Sequence, residues 1–249
     1  MSEAIRALVL AGGLGTRLRS VVGDRPKALA PVGGQPFLHY LLGQLRRSGL
    51  EHVTVCTGYG ADAVRSFVGS GAAWGLRIDC SEEQQPLGTG GAIRLAVERH
   101  GNDRFVVLNG DSYFDIALAD LVAAHEAMGG LVTLAACRMA AAGRFGTIDI
   151  GPAGDVRAFR EKVEDGPAVI NAGIYVLERP AVAGLSGDTP ISLERDVFPS
   201  LLAPDPATGR TGRLRAAVFE GFFADIGVPA DHAALDRDPR PLMGRPVPC

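Results

Sequence analysis

Short apolar runs alternate along the first half of the chain with stretches in which apolar residues recur every three or four positions. Residues 6–10, 53–57, 76–80 and 104–108 read as four strands. Between them, residues 37–48 carry Phe37, Leu38, Leu41, Leu42 and Leu45 at helical spacing, with Gly49 as the stop. Residues 61–68 and 90–100 read as two further helices. Strand alternating with helix predicts a parallel sheet covered on both faces, an α/β fold.

The alternation loosens after Asp111. Residues 118–128 read as a helix and 131–137 as a strand. Residues 147–150 and 156–160 flank Gly151-Pro152-Ala153-Gly154-Asp155 and predict a hairpin. Strands are expected at 170–177, 214–219 and 222–226. Helices are expected at 191–202, entered at Ser192, and at 229–235. The pattern describes one domain over residues 1–238. Residues 1–115 or so form one half and 116–238 another, sharing one mixed sheet. The stretch from 238 to 249 holds four prolines and is expected to be irregular.

Composition adds exclusions. Of 249 residues, 47% are hydrophobic, enough for a sizeable core, yet no apolar run approaches the about 20 residues that span a bilayer. No basic region followed by an apolar segment opens the chain, so neither secretion nor a membrane partner is expected. Cys56, Cys80, Cys137 and Cys249 are scattered, which argues against a zinc site or disulfide framework and fits a reducing cytoplasm. Net charge is −3, so nucleic acid is not an expected partner. The sequence leaves a homo-oligomer open. Residues 1–35 hold five basic residues against Glu3 and Asp24, a local balance of +3 that suits a small polyanion or a solvated basic face. The chain has two lysines, Lys27 and Lys162, against 23 arginines. A compact ammonium offers geometry that a planar fork does not, which marks both for functional roles.

The first strand runs into Leu10-Ala11-Gly12-Gly13-Leu14-Gly15-Thr16-Arg17-Leu18-Arg19. Glycines let backbone N–H groups approach a phosphate, and Arg17 and Arg19 add fixed charge. Such a loop is a candidate triphosphate cradle, and equally an ordinary tight turn. No Lys-Ser or Lys-Thr follows, so it is not a P-loop, and Leu18 stands where a dinucleotide fingerprint has Gly or Ala. The fourth strand ends Asn109-Gly110-Asp111. Ligands of open α/β sheets sit beyond the carboxyl ends of strands, where Asp111 is placed to hold Mg²⁺ on a substrate phosphate. An Asp there is also a common turn residue. Asp225 ends another apolar run and supplies a second carboxylate.

The pattern L-A-G-G-x-G-T-R-L, then Pro26-Lys27, then Pro31-Val32-Gly33-Gly34-Gln35-Pro36, resembles the sugar-1-phosphate nucleotidyltransferases. Further matches extend to Pro229, nearly the whole chain. The resemblance implies a Rossmann-like three-layer fold with a mixed, mostly parallel central sheet, residues 1–115 or so being the nucleotide half and 116–238 the sugar-phosphate half. It also implies transfer of a nucleotidyl group from a triphosphate to a sugar 1-phosphate, with Mg²⁺ as cofactor. Many members of the family read L-G-T-A-G and D-x-G-T-P; Leu87-Gly88-Thr89-Gly90-Gly91 and Asp225-Ile226-Gly227-Val228-Pro229 depart from both and resemble instead the D-glycero-D-manno-heptose 1-phosphate guanylyltransferases. Mannose 1-phosphate, or a uridylyl or thymidylyl transfer to glucose 1-phosphate, is the alternative within the class. A non-catalytic regulatory homologue is the alternative outside it. A C-terminal acyltransferase or left-handed β-helix domain is not expected.

By the same resemblance, Leu10, Ala11, Gly12, Gly13, Gly15 and Thr16 cradle the nucleotide with Gly88 and Thr89. Arg17 holds the departing pyrophosphate, Lys27 steadies the α-phosphate region, and Asp111 and Asp225 share the metal. Gly146, Glu161, Lys162 and Asn171 face the sugar phosphate, although Asn171 could equally satisfy buried backbone. Ile191 to Pro199 is implied to be a structural helix with no catalytic role. Glu83, five before Gly88, faces the Watson–Crick edge of the base. A carboxylate only accepts hydrogen bonds, and guanine offers two adjacent donors, so GTP is the expected triphosphate. Glu83 is alternatively a solvated loop residue beside Glu82.

Overall fold

A computed structural model describes residues 5–13, 15–140, 142–160, 166–187, 189–209 and 211–244. Glu161 and Lys162 lie outside the described residues. In chain order the first half holds β1 (Arg6–Leu10), α1 (Arg19–Val22), β2 (Pro31–Val32), β3 (Gln35–Pro36), α2 (Phe37–Arg47), β4 (His52–Thr57) and α3 (Ala61–Val68). It continues with β5 (Arg77–Glu82), α4 (Gly88–Glu98), β6 (Arg104–Asn109) and β7 (Ser112–Phe114). The second half holds α5 (Leu118–Met128), β8 (Val132–Met139), β9 (Thr147–Ile150), β10 (Val156–Arg160) and β11 (Ala168–Glu178). It ends with α6 (Phe198–Leu202), β12 (Leu214–Phe219), β13 (Phe223–Asp225) and α7 (Pro229–Arg237).

Strand β1 sits at the centre, parallel to β4 on one side and β6 on the other, and β5 extends the ladder beyond β4. Strand β11 pairs antiparallel to both β6 and β8, and β12 lies parallel to β8. From β5 to β12, β11 is therefore the one reversed strand, which makes the sheet mixed and mostly parallel. The hairpin β9–β10 forms as its glycine-rich turn predicts, and β9 meets β11 at Ile170.

Alternate residues of the central strands face opposite cores. Ala7, Val9, Val106 and Leu108 pack with Phe37, Leu38, Leu41 and Leu45 of α2. Leu8, Phe105 and Val107 pack with Ile93, Ala96 and Val97 of α4 on the other face. The side-chain period of two thus builds three layers from one sheet. Among the described residues no helix is long and apolar enough to cross a membrane.

Three local expectations need correction. The helix expected at 191–202 starts at Leu193, capped as expected by Ser192 Oγ accepting from the Arg195 N–H, but Leu193–Val197 wind as a π-type turn that runs directly into the short α6. The run at 222–226 does not join the main sheet but forms the short β13, paired with β7. The proline-rich stretch has an ordered turn at Arg240–Met243, with Leu242 fully buried.

Candidate active site

The glycine-rich turn, the Lys27 turn and the end of β6 meet over the carboxyl edge of β1. Gly110 donates its N–H to the Leu10 carbonyl at 3.0 Å, and a Cβ at Gly110 would collide with that carbonyl. Gly15 has φ of +58°, and a Cβ there would stand 2.9 Å from Cβ of Lys27. The glycines therefore let three backbone segments close on one another. They border a cavity of about 630 Å³.

Many of the residues expected to bind nucleotide line that cavity. Leu10, Ala11, Gly12 and Gly13 form one wall, with Lys27 and Asp111 beside them. Glu83, Gly88 and Thr89 form another. Gly15 and Thr16 stand outside the lining. Arg17 is exposed, with no hydrogen bond or ion pair shown among the described residues.

The two expected metal carboxylates converge. Strand β13 pairs with β7 so that Asp225 lies opposite Ser112, and the Ile226 N–H donates to the Asp111 carbonyl at 2.9 Å. Ser112 Oγ lies 3.3 Å from Oδ1 of Asp111 and 3.3 Å from Oδ2 of Asp225, so its hydroxyl can donate to either. Lys27 Nζ donates to Oδ2 of Asp111 at 2.6 Å. A Cβ at Gly227 would stand 2.5 Å from Oδ1 of Asp225 and 3.4 Å from Lys27 Nζ, which puts the ammonium beside both carboxylates. Among the described residues no cluster of three or more His, Cys, Asp or Glu side chains could hold a metal. Two carboxylates suffice for Mg²⁺, a hard cation that takes its remaining ligands from water and substrate phosphates. Asp111 and Asp225 fit that donor set.

Glu83 is half-buried against backbone. A Cβ on Gly12 or Gly58 would come within 3.2 or 2.5 Å of its Oε1, and its Oε2 accepts from the Leu87 N–H at 3.0 Å. Burial raises its carboxyl above the ordinary 4.5, opposed by the Leu87 hydrogen bond. A carboxyl raised on folding weighs against the fold once ionised, and that penalty vanishes as pH falls below the unfolded value. Glu83→Gln is therefore expected to melt higher than wild type at pH 7. The gap should narrow as pH drops through the carboxylate range, read by melting temperature against pH. A variant that melts lower at pH 7 would show that the cavity stabilises the charge.

Cys56 also borders the cavity, but burial pushes its thiol up to about 12, so it stays protonated and is no nucleophile. The expected sugar-side residues stand further along the sheet. Asn171 Nδ2 donates to the Tyr175 hydroxyl at 3.0 Å, and Asn109 Nδ2 does so at 3.3 Å. Asn171 Oδ1 also accepts from the Gly173 N–H, so part of its capacity serves backbone. Gly146 lies outside the cavity lining and follows Phe145, whose ring packs against Phe223 of β13.

Sequence reasoning passed over Glu194. The stretch expected to be structural places this carboxylate in the cavity wall. It accepts from Ser192 Oγ at 3.1 Å, Thr89 Oγ1 at 3.4 Å and the Tyr175 hydroxyl at 3.5 Å. Leu193 donates its N–H back to Thr89 Oγ1 at 2.8 Å, and Gly90 donates to the Ile191 carbonyl at 2.8 Å. The L-G-T segment and the 191–194 segment are thus one wall. Asn109, Tyr59, Gln84 and Gln85 line the cavity and were also missed. Asn109, Gln84 and Gln85 flank motif positions without carrying a pattern of their own, and Tyr59 follows β4 with no motif beside it.

The family model "Nucleotidyl transferase" matches residues 6–231. The chain is 33% identical to a D-glycero-alpha-D-manno-heptose 1-phosphate guanylyltransferase of Aneurinibacillus thermoaerophilus, covering 94% of this chain and 98% of that one. It is 37% identical over 92% of its length to a mannose-1-phosphate guanylyltransferase of Mycobacterium tuberculosis, of which it spans 63%. The crystal structure of HddC from Yersinia pseudotuberculosis, complexed with GMP-PN, superposes with a TM-score of 0.83 at 30% identity. The superposition covers 95% of this chain and 100% of that chain. A family match over residues 6–231, joined to a cavity built from that family's motif positions, makes this chain a member of the nucleotidyl transferase family.

Proposed function

We propose that the chain transfers a guanylyl group from GTP to a sugar 1-phosphate, with D-glycero-D-manno-heptose 1-phosphate as the acceptor, releasing pyrophosphate. One observation carries the reading: Lys27, Asp111 and Asp225 converge beside a cavity that also holds Glu83. The names of the Aneurinibacillus and Mycobacterium relatives, and the GMP-PN bound to HddC, support the guanylyl half.

The acceptor needs no general base, because a phosphate monoester is largely dianionic at neutral pH, with a second pKa of about 6. The barrier lies in bringing two anions together and in the charge that develops on pyrophosphate. Positioning and electrostatic stabilisation are therefore the expected sources of rate. Mg²⁺ held by Asp111 and Asp225 would polarise the α-phosphate and offset its charge. Lys27 holds a fixed positive charge 2.6 Å from Asp111, where the α-phosphate would be met. Arg17, exposed beside the glycine-rich turn, is free to close on the departing pyrophosphate. Glu83 presents acceptors only, matching the N1–H and N2 amino donors of guanine, and each of its oxygens keeps a lone pair beyond the Leu87 contact. Glu194, oriented by three hydroxyl donors, is placed to accept from a hydroxyl of either substrate. Lys162 and Glu161 are proposed on the sugar side by family resemblance.

Mannose 1-phosphate is the second reading, favoured by the 37% identity to the Mycobacterium protein. A competition decides between them. Equal amounts of both sugar 1-phosphates are supplied with GTP, and the products are separated by mass. GDP-heptose is expected to dominate; a predominance of GDP-mannose would replace the first reading with the second.

A further inference from the structure

The turn that precedes β9 is tied to β13 in two ways. Arg144 Nη2 donates to Oδ1 of Asp225 at 3.0 Å and also to Oδ2 of Asp231 in the first turn of α7. Its guanidinium lies 4.3 Å from the centroid of the Phe145 ring, which packs edge-on against Phe223 with centroids 5.5 Å apart. Phe223 and Asp225 are the two ends of β13. Gly146, expected at the sugar, comes next in the chain.

The fork that neutralises Asp225 is therefore the same one that fastens this turn. Asp225 Oδ1 already accepts from the Gly227 N–H at 2.7 Å as well as from Arg144. Its two lone pairs are in use, and its side chain is only 15% exposed. A divalent ion at Asp225 would meet the Arg144 charge across a partly buried gap, where like charges repel more strongly than in water. Arg144 has somewhere to go, because Asp231 is an acceptor it already touches and is 46% exposed.

We propose that Arg144 is a positioning residue that couples cation binding at Asp225 to the placement of Phe145 and Gly146, passing from Asp225 to Asp231 when a divalent ion takes the Asp225 carboxylate. The inference rests on the reading that Asp225 holds such an ion. Coupling of this kind is reciprocal: whatever seats the turn without the Arg144–Asp225 pair also favours the ion.

The test uses Mn²⁺ alone as the probe on the full chain without nucleotide, with free Mn²⁺ read by electron paramagnetic resonance. Arg144→Gln is expected to bind Mn²⁺ about tenfold more tightly than wild type, because a repelling charge beside the site is gone. Arg144→Lys keeps the charge and should stay close to wild type. Asp231→Asn takes the negative charge from the alternative acceptor, leaving Arg144 a weaker place to go, and should weaken Mn²⁺ binding. Hydrogen exchange of residues 142–147 supplies a second readout. Mn²⁺ should speed exchange there in wild type and leave Arg144→Gln, already fast, unchanged. Unaltered or weaker Mn²⁺ binding by Arg144→Gln, or exchange in wild type that ignores Mn²⁺, would overturn the proposal. If Arg144→Gln does not fold, unaltered binding by Asp231→Asn would do so. Asp225→Asn separates the two levels: Mn²⁺ binding as tight as wild type would remove the cation reading itself.

Discussion

Asp111→Asn and Asp225→Asn are each expected to lower turnover by about 10²-fold or more while the fold survives, the scale of losing one preorganised electrostatic contact to the reacting phosphate. Both changes are isosteric. Asp225 sits in β13, whose pairing with β7 is made by backbone, and an Asn Oδ1 still accepts from the Gly227 N–H. At Asp111 the backbone carbonyl continues to accept from Ile226. What each variant loses is a formal negative charge facing Lys27 and the proposed Mg²⁺. The Asp111 change also leaves Lys27 without its ion-pair partner, so its ammonium is expected to bind triphosphate more tightly but less productively. Turnover is measured as pyrophosphate release across a Mg²⁺ titration, with thermal melts confirming the fold. Near-normal, Mg²⁺-dependent turnover by either soluble variant would remove that carboxylate from the reaction.

The second large effect concerns the base. Glu83→Gln is expected to erode the preference for GTP over UTP, dTTP and ATP by about 1–3 kcal/mol, the scale of a bidentate contact to a base edge. A Gln amide offers one acceptor and one donor where guanine presents two donors, so one contact turns repulsive. Uracil and thymine, with a donor flanked by acceptors, suit the amide better. Glu83 is held from behind by the Leu87 N–H and crowded by Gly12 and Gly58, so the replacement has little room to turn away. The ratio of kcat/KM for the four triphosphates is the readout. An unchanged GTP preference would take Glu83 out of the base pocket.

The central sheet was legible because β1, β4 and β6 are buried on both faces, which keeps charged residues out of their interiors. The helices facing it show an apolar stripe every three to four residues. The glycine-rich turn and Asp111 were legible because they punctuate those strands. Pairing between β7 and β13 was not, because strands of three residues carry no usable period and the partners lie more than a hundred positions apart. That pairing is what brings Asp225 to Asp111. Glu194 was hidden by its neighbours. Leu193, Val197 and Phe198 are buried, as a structural helix would have them, yet the π-type turn leaves the next side chain facing the cavity. Arg144 lies in a short alanine- and glycine-rich segment with no periodicity, and only its contacts with Asp225 and Asp231 mark it.

Pyrophosphate release tests the central claim most directly. Purified chain is supplied with Mg²⁺, each of GTP, UTP, dTTP and ATP, and a panel of sugar 1-phosphates. Release should require both substrates, be fastest with GTP, and be accompanied by one equivalent of GDP-sugar, with D-glycero-D-manno-heptose 1-phosphate the best acceptor. Release that is fastest with dTTP or UTP would contradict the guanylyl assignment, and no release with any pair would contradict the nucleotidyl transfer itself.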